Sequence, residues 1–425
     1  MVINAIVDTG FGFGISLLAV STIVAVFLKR MGASNTVVGL APAVTIVAGA
    51  LAQLPATHFT RRFREKKTGF VAIHIASYLP WLAIGYLTLA WARPHPHRMI
   101  VALLGLMAVY AALLAASMPM WGQLLPRLFP DRKRGMAVGI IILAQGSAGV
   151  AAGFFAAYIL AHRAFPLNFA TIFLTAGVCM VLARSLHLLS HESVPAEPPA
   201  APRENMGRIV LRIWRRDRRL RRFIVARWIF ESGAAVGNFF AIYALARFGL
   251  HDQAAGQFAL AASLGSAIMA PWLGSLGDRR GYRRVMGWGM ALALGATLLA
   301  LKAPVAWVML VAFFVSGLGG AADGVAYTNL LVEMGDEQTR GYYFALATTT
   351  MAPLRLAAPL LWGLLSDKLT VALGDPAGAL AGLFAWSLAL QALGWIALVT
   401  LVDDPRRPRE RIAHWRRGMV WPRFY

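Results

Sequence analysis

Residues 304–332 read PVAWVMLVAFFVSGLGGAADGVAYTNLLV, and Asp323 is the one charged side chain among these 29 residues. A helix that crosses the hydrocarbon core of a bilayer needs about 20 mostly apolar residues. Eleven further runs of this kind predict twelve spans in all, numbered 1 to 12 in chain order. They lie near residues 4–28, 37–60, 68–92, 99–122, 135–160, 167–189, 222–246, 253–277, 284–301, 304–332, 341–365 and 376–402. The strands of a membrane β-barrel would instead show segments of about ten residues in which apolar and polar residues alternate, and these unbroken apolar runs lack that alternation.

The composition supports an all-α membrane protein. Of the 425 residues, 58% are hydrophobic and 14% are charged, against roughly 25% charged in an average soluble domain. So much apolar sequence excludes an ordinary soluble domain and a disordered chain. One cysteine, Cys179, excludes an internal disulfide and a cysteine-built zinc site. No metal-ligand cluster or phosphate loop is present in the sequence, so we predict no cofactor and no enzyme activity.

The basic residues predict the orientation of the spans. Of the 41 Lys and Arg, 30 fall on the side of the two termini, 8 on the opposite side and 3 within spans. This bias predicts that both termini lie on the cytoplasmic side of a bacterial inner membrane. Because the cations are distributed loop by loop along one membrane face, we expect anionic lipids as partners and no nucleic acid. The first span lacks a basic leader and a cleavage site, so we expect it to be retained.

The middle of the chain interrupts the apolar pattern and predicts the domain division. A Pro/Ala-rich stretch, 191–202, precedes the arginine-rich segment 205–222, which is either an amphipathic helix on the inner leaflet or a solvated basic loop. We predict an N-terminal six-helix bundle at 1–190, a linker at 191–221, a C-terminal six-helix bundle at 222–402 and a basic tail at 403–425.

The two halves resemble each other. Asp8-Thr9-Gly10 in span 1 corresponds to Glu231-Ser232-Gly233 in span 7, with the same offset of 223 residues. Basic clusters follow spans 2 and 8, and an Arg-Gly pair opens spans 5 and 11. Repeated halves of this kind are typical of secondary transporters, which bind their substrate near the midplane between the repeats.

The loop after span 8 carries the most specific motif. It reads GSLGDRRGYRR and matches the pattern G-x-L-x-D-R-x-G-x-[RK]-[RK] at Gly274, Leu276, Asp278, Arg279, Gly281, Arg283 and Arg284. On this motif, at this place in a six-span half, the chain resembles the major facilitator superfamily. The copy after span 2 departs from it, with Arg61 in place of the Asp and Arg64 in place of the Gly. The resemblance implies two bundles that rock about a central site, with this loop latching them on the cytoplasmic side in the outward-open state.

Charged residues at membrane depth are costly and usually face a cavity or a partner. We single out Asp323, which a glycine-rich stretch surrounds, as a proton carrier or a substrate ligand. Arg355 could bind an anionic substrate or neutralise Asp323. Arg227 lies four residues before Glu231 on one helix face, so the two either form an internal ion pair or take part in substrate binding and proton coupling. Asp8 occupies the matching place in span 1 and is either functional or, being near the N-terminus, simply hydrated.

Three polar residues at similar depth are candidates for the substrate cavity, although such groups more often bond neighbouring helices: Gln145, Asn238 and Tyr327. The predicted function is secondary active transport of a small organic solute across the membrane. We expect protons to be the coupling ion and the protein to be a monomer. Two alternatives remain open. One is a facilitator that does not use protons, and the other is a transporter-like membrane sensor or scaffold.

Overall fold

The computed structural model describes residues 2–60, 65–128, 131–190, 206–335 and 340–403. Every regular element in these ranges is a helix. Ten spans are single α-helices along their long apolar runs, and these helices continue through internal prolines such as Pro80. These are Asn35–Thr60, Lys66–Trp91, Pro96–Leu128, Asp131–His162 and Leu167–Ser185 for spans 2 to 6, and Gln253–Arg280, Tyr282–Lys302, Ala306–Met334, Arg340–Leu373 and Pro376–Leu401 for spans 8 to 12.

Spans 1 and 7 are interrupted. Span 1 consists of Val2–Leu17, a π-helical turn Val20–Val24 and Ala25–Arg30. Span 7 consists of Arg218–Ala234, a 3-10 turn Ala235–Phe239 and Phe240–Phe248. Mid-helix turns of these two kinds often occur at functional sites and hinges.

Eleven helices of the described residues are long and apolar enough to cross a membrane. The remaining predicted span is span 8, the 28-residue helix Gln253–Arg280, which carries three charges at its end. The twelve spans are therefore confirmed as helices, with several ends shifted by a few residues. Span 11 extends furthest beyond its predicted end, to Leu373, and its helix continues through Pro353 and Pro359.

The arginine-rich segment 205–222 was predicted as a single element, but the structure divides it between two helices. It forms a helix, Met206–Arg216, and a second helix begins at Arg218. Asp217 separates them because its Oδ1 accepts hydrogen bonds from the backbone N–H groups of Arg219 (2.8 Å) and Leu220 (3.2 Å), as an N-cap residue does. The alternative of an irregular basic loop is therefore wrong for 206–216. The linker stretch 191–205 and the tail 404–425 lie outside the described residues.

Spans 1 to 6 pack into one bundle and spans 7 to 12 into a second. The two bundles meet where span 2 packs against span 11 and span 5 against span 8. At these two contacts the backbones of the facing helices approach each other closely. A Cβ on Gly39 would lie 2.3 Å from the carbonyl oxygen of Pro359, and one on Gly256 would lie 2.3 Å from the backbone nitrogen of Ala157. Small residues permit such approach between membrane helices.

Hydrogen bonds join the halves at the end of the molecule opposite the termini, and we call this set the outer latch. Arg30 at the end of span 1 contacts Asp252 before span 8 at 2.8 Å. Asp367 of span 11 accepts from the backbone N–H groups of Asn35 and Thr36, both at 2.8 Å, and from the Thr36 hydroxyl at 2.6 Å. A carboxylate from one half thus caps the first turn of span 2 in the other, where the helix dipole favours an anion.

Candidate functional site

A cavity of about 310 Å³ lies between the two halves, where both interrupted spans meet. Span 1 contributes from the first half, and spans 7, 8 and 10 contribute from the second. Its polar lining consists of five hydroxyls and one amide, namely Ser16, Ser21, Thr22, Asn238, Ser263 and Ser316. Among the described residues, no charged side chain lines it.

Two features of this lining indicate a binding site. Thr22 is 2% exposed, and its Oγ1 has no hydrogen-bond partner among the described residues. A buried hydroxyl without a partner is costly, and a bound molecule can satisfy it. The hydroxyls of Ser16 and Ser263 converge on Gly149 of span 5, where a Cβ would lie 2.8 and 3.2 Å from them. We call this cavity the central cavity.

A cluster of four charges lies on the side of the central cavity that faces the termini. On span 7, Glu231 is seven residues from Asn238, and on span 10, Asp323 is seven residues from Ser316. In span 10 seven residues are two α-helical turns, so Ser316 and Asp323 share a face and lie about 10 Å apart. In span 7 the 3-10 turn begins between Glu231 and Asn238, and Glu231 lies on the side nearer the termini. The cluster therefore lies between the central cavity and the terminal-side end of spans 7 and 10.

The contacts in this cluster are specific. Arg227 donates to both carboxylate oxygens of Asp323, one at 3.0 Å, and also to Glu231. Arg355 contacts Glu231 with two parallel hydrogen bonds of 2.7 and 2.9 Å. Two acids and two arginines thus neutralise one another, with Glu231 shared by both guanidinium groups. Tyr327 packs against them, its ring centre 5.3 Å from the Arg227 guanidinium and 6.0 Å from that of Arg355.

The first half places one carboxylate at the corresponding position. Asp8 is 4% exposed, and its Oδ1 accepts a hydrogen bond from the Gln145 side chain at 3.1 Å. Its Oδ2 is buried with no hydrogen-bond partner among the described residues. Asp8 and Gln145 join spans 1 and 5, just as Glu231 and Arg355 join spans 7 and 11. In the first half, however, the partner is a neutral amide.

The Major Facilitator Superfamily sequence profile matches residues 5–251 and again residues 229–421. The chain belongs to the major facilitator superfamily. This family consists of membrane transporters, and the chain is accordingly a multi-pass transporter of that fold. The resemblance on the loop after span 8 is therefore confirmed.

Solved structures of superfamily transporters have the same fold. The nucleoside transporter NupG has a TM-score of 0.70 at 9% identity, covering 94% of this chain and 100% of its own. The D-xylose-proton symporter has 0.70 at 16%, covering 95% and 98%. A bacterial homologue of the human lysosomal transporter Spinster, inward-facing and unoccupied, has 0.63 at 15%, covering 94% of both chains. No curated protein matches the sequence of this superfamily member.

The structure brings together most of the residues singled out from the sequence. Arg227 and Glu231 pair as their spacing predicted. Arg355 contacts Glu231, so the suggestion that it neutralises Asp323 is wrong, because Arg227 already holds that carboxylate. The hydrated alternative for Asp8 is also wrong, since its side chain is buried.

The three polar candidates have different surroundings. Asn238 lines the central cavity, and its amide nitrogen donates to the Ala235 carbonyl at 2.9 Å. Gln145 contacts Asp8, and Tyr327 contacts the two arginines. Sequence reasoning missed the hydroxyls, although Ser16, Ser21 and Thr22 stand close together in an otherwise apolar span.

The gating motif of this superfamily member is described in part. Span 8 ends at Arg280 and span 9 begins at Tyr282, so Gly281 alone makes the turn, with φ +86°. The turn requires glycine, since residues with a Cβ rarely adopt that conformation. The surroundings of Gly274 and of the Asp278 side chain lie outside what the structure describes, and Arg279 and Arg284 are exposed. The cytoplasmic latch therefore stays a prediction.

Removing the charge of Glu231 should destabilise the protein, because two guanidinium groups would then share one carboxylate. Glu231→Gln should lower the free energy of unfolding by about 3 kcal/mol, the lower end for a buried pair, because the Arg355 side chain is 34% exposed. The Glu231→Gln/Arg355→Gln double variant should recover part of this loss, with a coupling energy of at least about 1 kcal/mol. Reversible unfolding in mixed micelles, followed by circular dichroism, measures both.

Asp403→Asn is the matched control for this cycle. It removes a carboxylate from an exposed pair with Arg222, at 3.7 Å and with side chains 68% and 50% exposed. Its effect should stay below about 1 kcal/mol. Equal losses in Glu231→Gln and Asp403→Asn, or strict additivity in the double variant, would contradict a mutually neutralised cluster.

Proposed function

We propose that this protein is a secondary active transporter that moves a small, neutral, polar solute across the bacterial inner membrane by alternating access, coupled to protons. The observation that carries the proposal is the central cavity, which the two halves share and which is lined by hydroxyls and one amide. Discontinuous helices at the interface of two repeats are where secondary transporters hold their substrates. On this proposal both termini face the cytoplasm, as the distribution of arginine predicts.

The lining supports a neutral solute over an anionic one. Hydroxyls and an amide can donate to and accept from hydroxyl or amide groups of a ligand, and they supply no net charge. Arg355, the cation that an anionic substrate would need, is already paired with the Glu231 carboxylate through two hydrogen bonds. The volume of about 310 Å³ lies at the small end of ligand pockets, which range over about 300–1,000 Å³. A single-ring polyhydroxylated solute fits these constraints.

Neutral polar solutes should stabilise the purified protein, and Thr22 should contribute to their binding. Among pentoses, hexoses, nucleosides, dicarboxylates and organic cations, we expect thermal stabilisation only from neutral compounds. Thr22→Val removes one hydroxyl and keeps the shape, so the Kd of the best compound should rise about tenfold. Isothermal titration calorimetry measures this change.

Thr88→Val is the matched control, because Thr88 is also a buried threonine in a span, but its hydroxyl donates to Ile84 of its own helix. This variant should bind like the wild type. Preferential stabilisation by anions, or equal weakening in both variants, would contradict the proposed substrate class.

The outer latch supports alternating access. It closes the molecule at the end opposite the termini, and it consists of hydrogen bonds that two rocking bundles can break and remake. Asp367 alone holds three donors from the other half. On the proposed mechanism, opening toward the outside requires Asp367 to release the first turn of span 2.

Asp367→Ala should shift the population toward the outward-open state. In a Cys179→Ser background carrying Ser21→Cys in the central cavity, a membrane-impermeant maleimide added outside should react about tenfold faster, equivalent to about 1.4 kcal/mol of lost latch stabilisation. Asp375→Ala is the control, because Asp375 caps span 12 within its own half. Unchanged labelling in Asp367→Ala, or equal acceleration in the control, would contradict the role of the latch.

The surroundings of the carboxylates support Asp8 as the proton carrier. An ionised carboxylate is stabilised by a nearby cation and destabilised by burial. Asp323 and Glu231 each form hydrogen bonds with a guanidinium. Asp8 instead accepts from an amide and has one oxygen without a hydrogen-bond partner among the described residues, and the buried Arg184 acts on it only through space. We therefore assign proton exchange to Asp8 and a fixed structural charge to Asp323, the residue that the sequence alone favoured.

Asp8→Asn should uncouple transport from protons, because the amide mimics a carboxyl that never releases its proton. In proteoliposomes, the best solute of the binding screen should still exchange down its gradient, while accumulation driven by a pH gradient should fall at least tenfold. Solute-driven proton flux, followed with an entrapped pH dye, should disappear. Asp323→Asn, measured in parallel, should keep its proton flux.

The possible outcomes separate the alternatives. Loss of proton flux in Asp323→Asn with normal flux in Asp8→Asn would identify Asp323, and not Asp8, as the proton carrier. Solute exchange by the wild type without proton flux would identify a facilitator. Binding without exchange would identify a sensor.

A further inference from the structure

A second cavity, of about 450 Å³, lies far from the central one, at the terminal-side end of spans 9 and 12. We call it the basic pocket. Its lining combines three arginines with two tryptophans, namely Arg280, Arg283, Arg284, Trp288 and Trp395. Among the described lining residues there is no acid, so the three positive charges are not neutralised within the pocket.

The basic pocket is built into the bundle. Arg283 donates from Nη1 to the carbonyl oxygens of Val399 (2.8 Å) and Val402 (3.1 Å), which satisfies the end of span 12. Its Nε is buried with no hydrogen-bond partner among the described residues. A buried guanidinium donor without an acceptor indicates a ligand that supplies an oxygen.

The remaining walls are apolar and face outward from the bundle. Trp288 is 39% exposed and Val399 is 46% exposed. Trp395 is fixed by a hydrogen bond from its Nε1 to the Gly287 carbonyl at 2.9 Å, and the Arg280 guanidinium lies 5.9 Å from the Trp288 ring. Tryptophans at the ends of spans mark the depth of lipid headgroups.

We propose that the basic pocket binds the phosphodiester headgroup of an anionic phospholipid, with the acyl chains lying along Trp288 and Val399. Arginine suits phosphate oxygens because its planar donors can bind two of them at once. The apolar outer wall favours a lipid over a free phosphate, which would leave that wall unused. Basic pockets between spans on the cytoplasmic side are known to hold such headgroups. This inference goes beyond the proposed transport and does not depend on its substrate.

The test is lipid binding to the delipidated, full-length protein in detergent, measured by native mass spectrometry. The wild type should retain phosphatidylglycerol at least about tenfold more tightly than phosphatidylcholine, and Arg280→Gln/Arg284→Gln should lose about tenfold of that affinity. Both arginines are exposed, so the variant should keep the wild-type melting temperature. Soluble glycerol 3-phosphate at the same concentration should not displace the lipid.

Arg215→Gln/Arg279→Gln is the matched control. It removes the same charge from two exposed arginines outside the pocket, and its affinity should stay within about twofold of the wild type. An equal loss of phosphatidylglycerol affinity in both variants would show that only the overall surface charge matters, and it would contradict binding in the basic pocket. No preference for phosphatidylglycerol, or displacement by glycerol 3-phosphate, would overturn the assignment to an anionic lipid.

Discussion

The cost of placing charge in hydrocarbon constrains this structure more than any other interaction. An isolated charged side chain at membrane depth is unfavourable by several kcal/mol. The protein meets this constraint in the second half by closing Arg227, Glu231, Asp323 and Arg355 into a neutral set. Arg227 joins span 7 to span 10 through Asp323, and Arg355 joins span 11 to span 7 through Glu231, so the cluster holds these three spans together. Spans 7 and 10 line the central cavity, so the pairing of charge holds part of the cavity wall in place.

The same constraint governs the backbone. Inside a bilayer, helical hydrogen bonds can be interrupted only where protein or a water-filled cavity satisfies the freed groups. Spans 1 and 7 are interrupted at residues that line the central cavity, and they come from opposite halves. Interruption, cavity and bundle interface therefore coincide for one physical reason. A solute that binds there can contact both halves, which is the condition for its binding to influence their relative position.

The sequence predicted the spans, the repeat and the family, because each depends on patterns within one segment. Twelve apolar runs, the offset between Asp8 and Glu231, and the loop around Gly281 can all be read without knowing which helices touch. The Arg227–Glu231 pair was also predictable, since four residues along a helix determine a shared face. The partner of Arg355 was not, because it depends on the rotation of span 11 against span 7. The hydroxyls of the central cavity and the Asp367 cap were not predictable either, because their roles also depend on how the helices pack. Serine, threonine and aspartate are common at such positions, and only packing shows which of them lack a partner or reach the other half.

The difference between the halves matters as much as their similarity. Asp8 and Glu231 occupy corresponding places, but Gln145 contacts the first and Arg355 the second. A guanidinium stabilises the ionised carboxylate whatever the cavity contains, whereas an amide can hydrogen-bond to either protonation state of Asp8. The repeat therefore supplies two carboxylates in equivalent positions, and their partners give them different chemistry. On the proposed mechanism the charged half serves as the fixed wall of the site. The half with the neutral partner exchanges the proton, because protonation of Asp8 breaks no ion pair, whereas protonation of Glu231 or Asp323 would take the carboxylate from a guanidinium that it contacts.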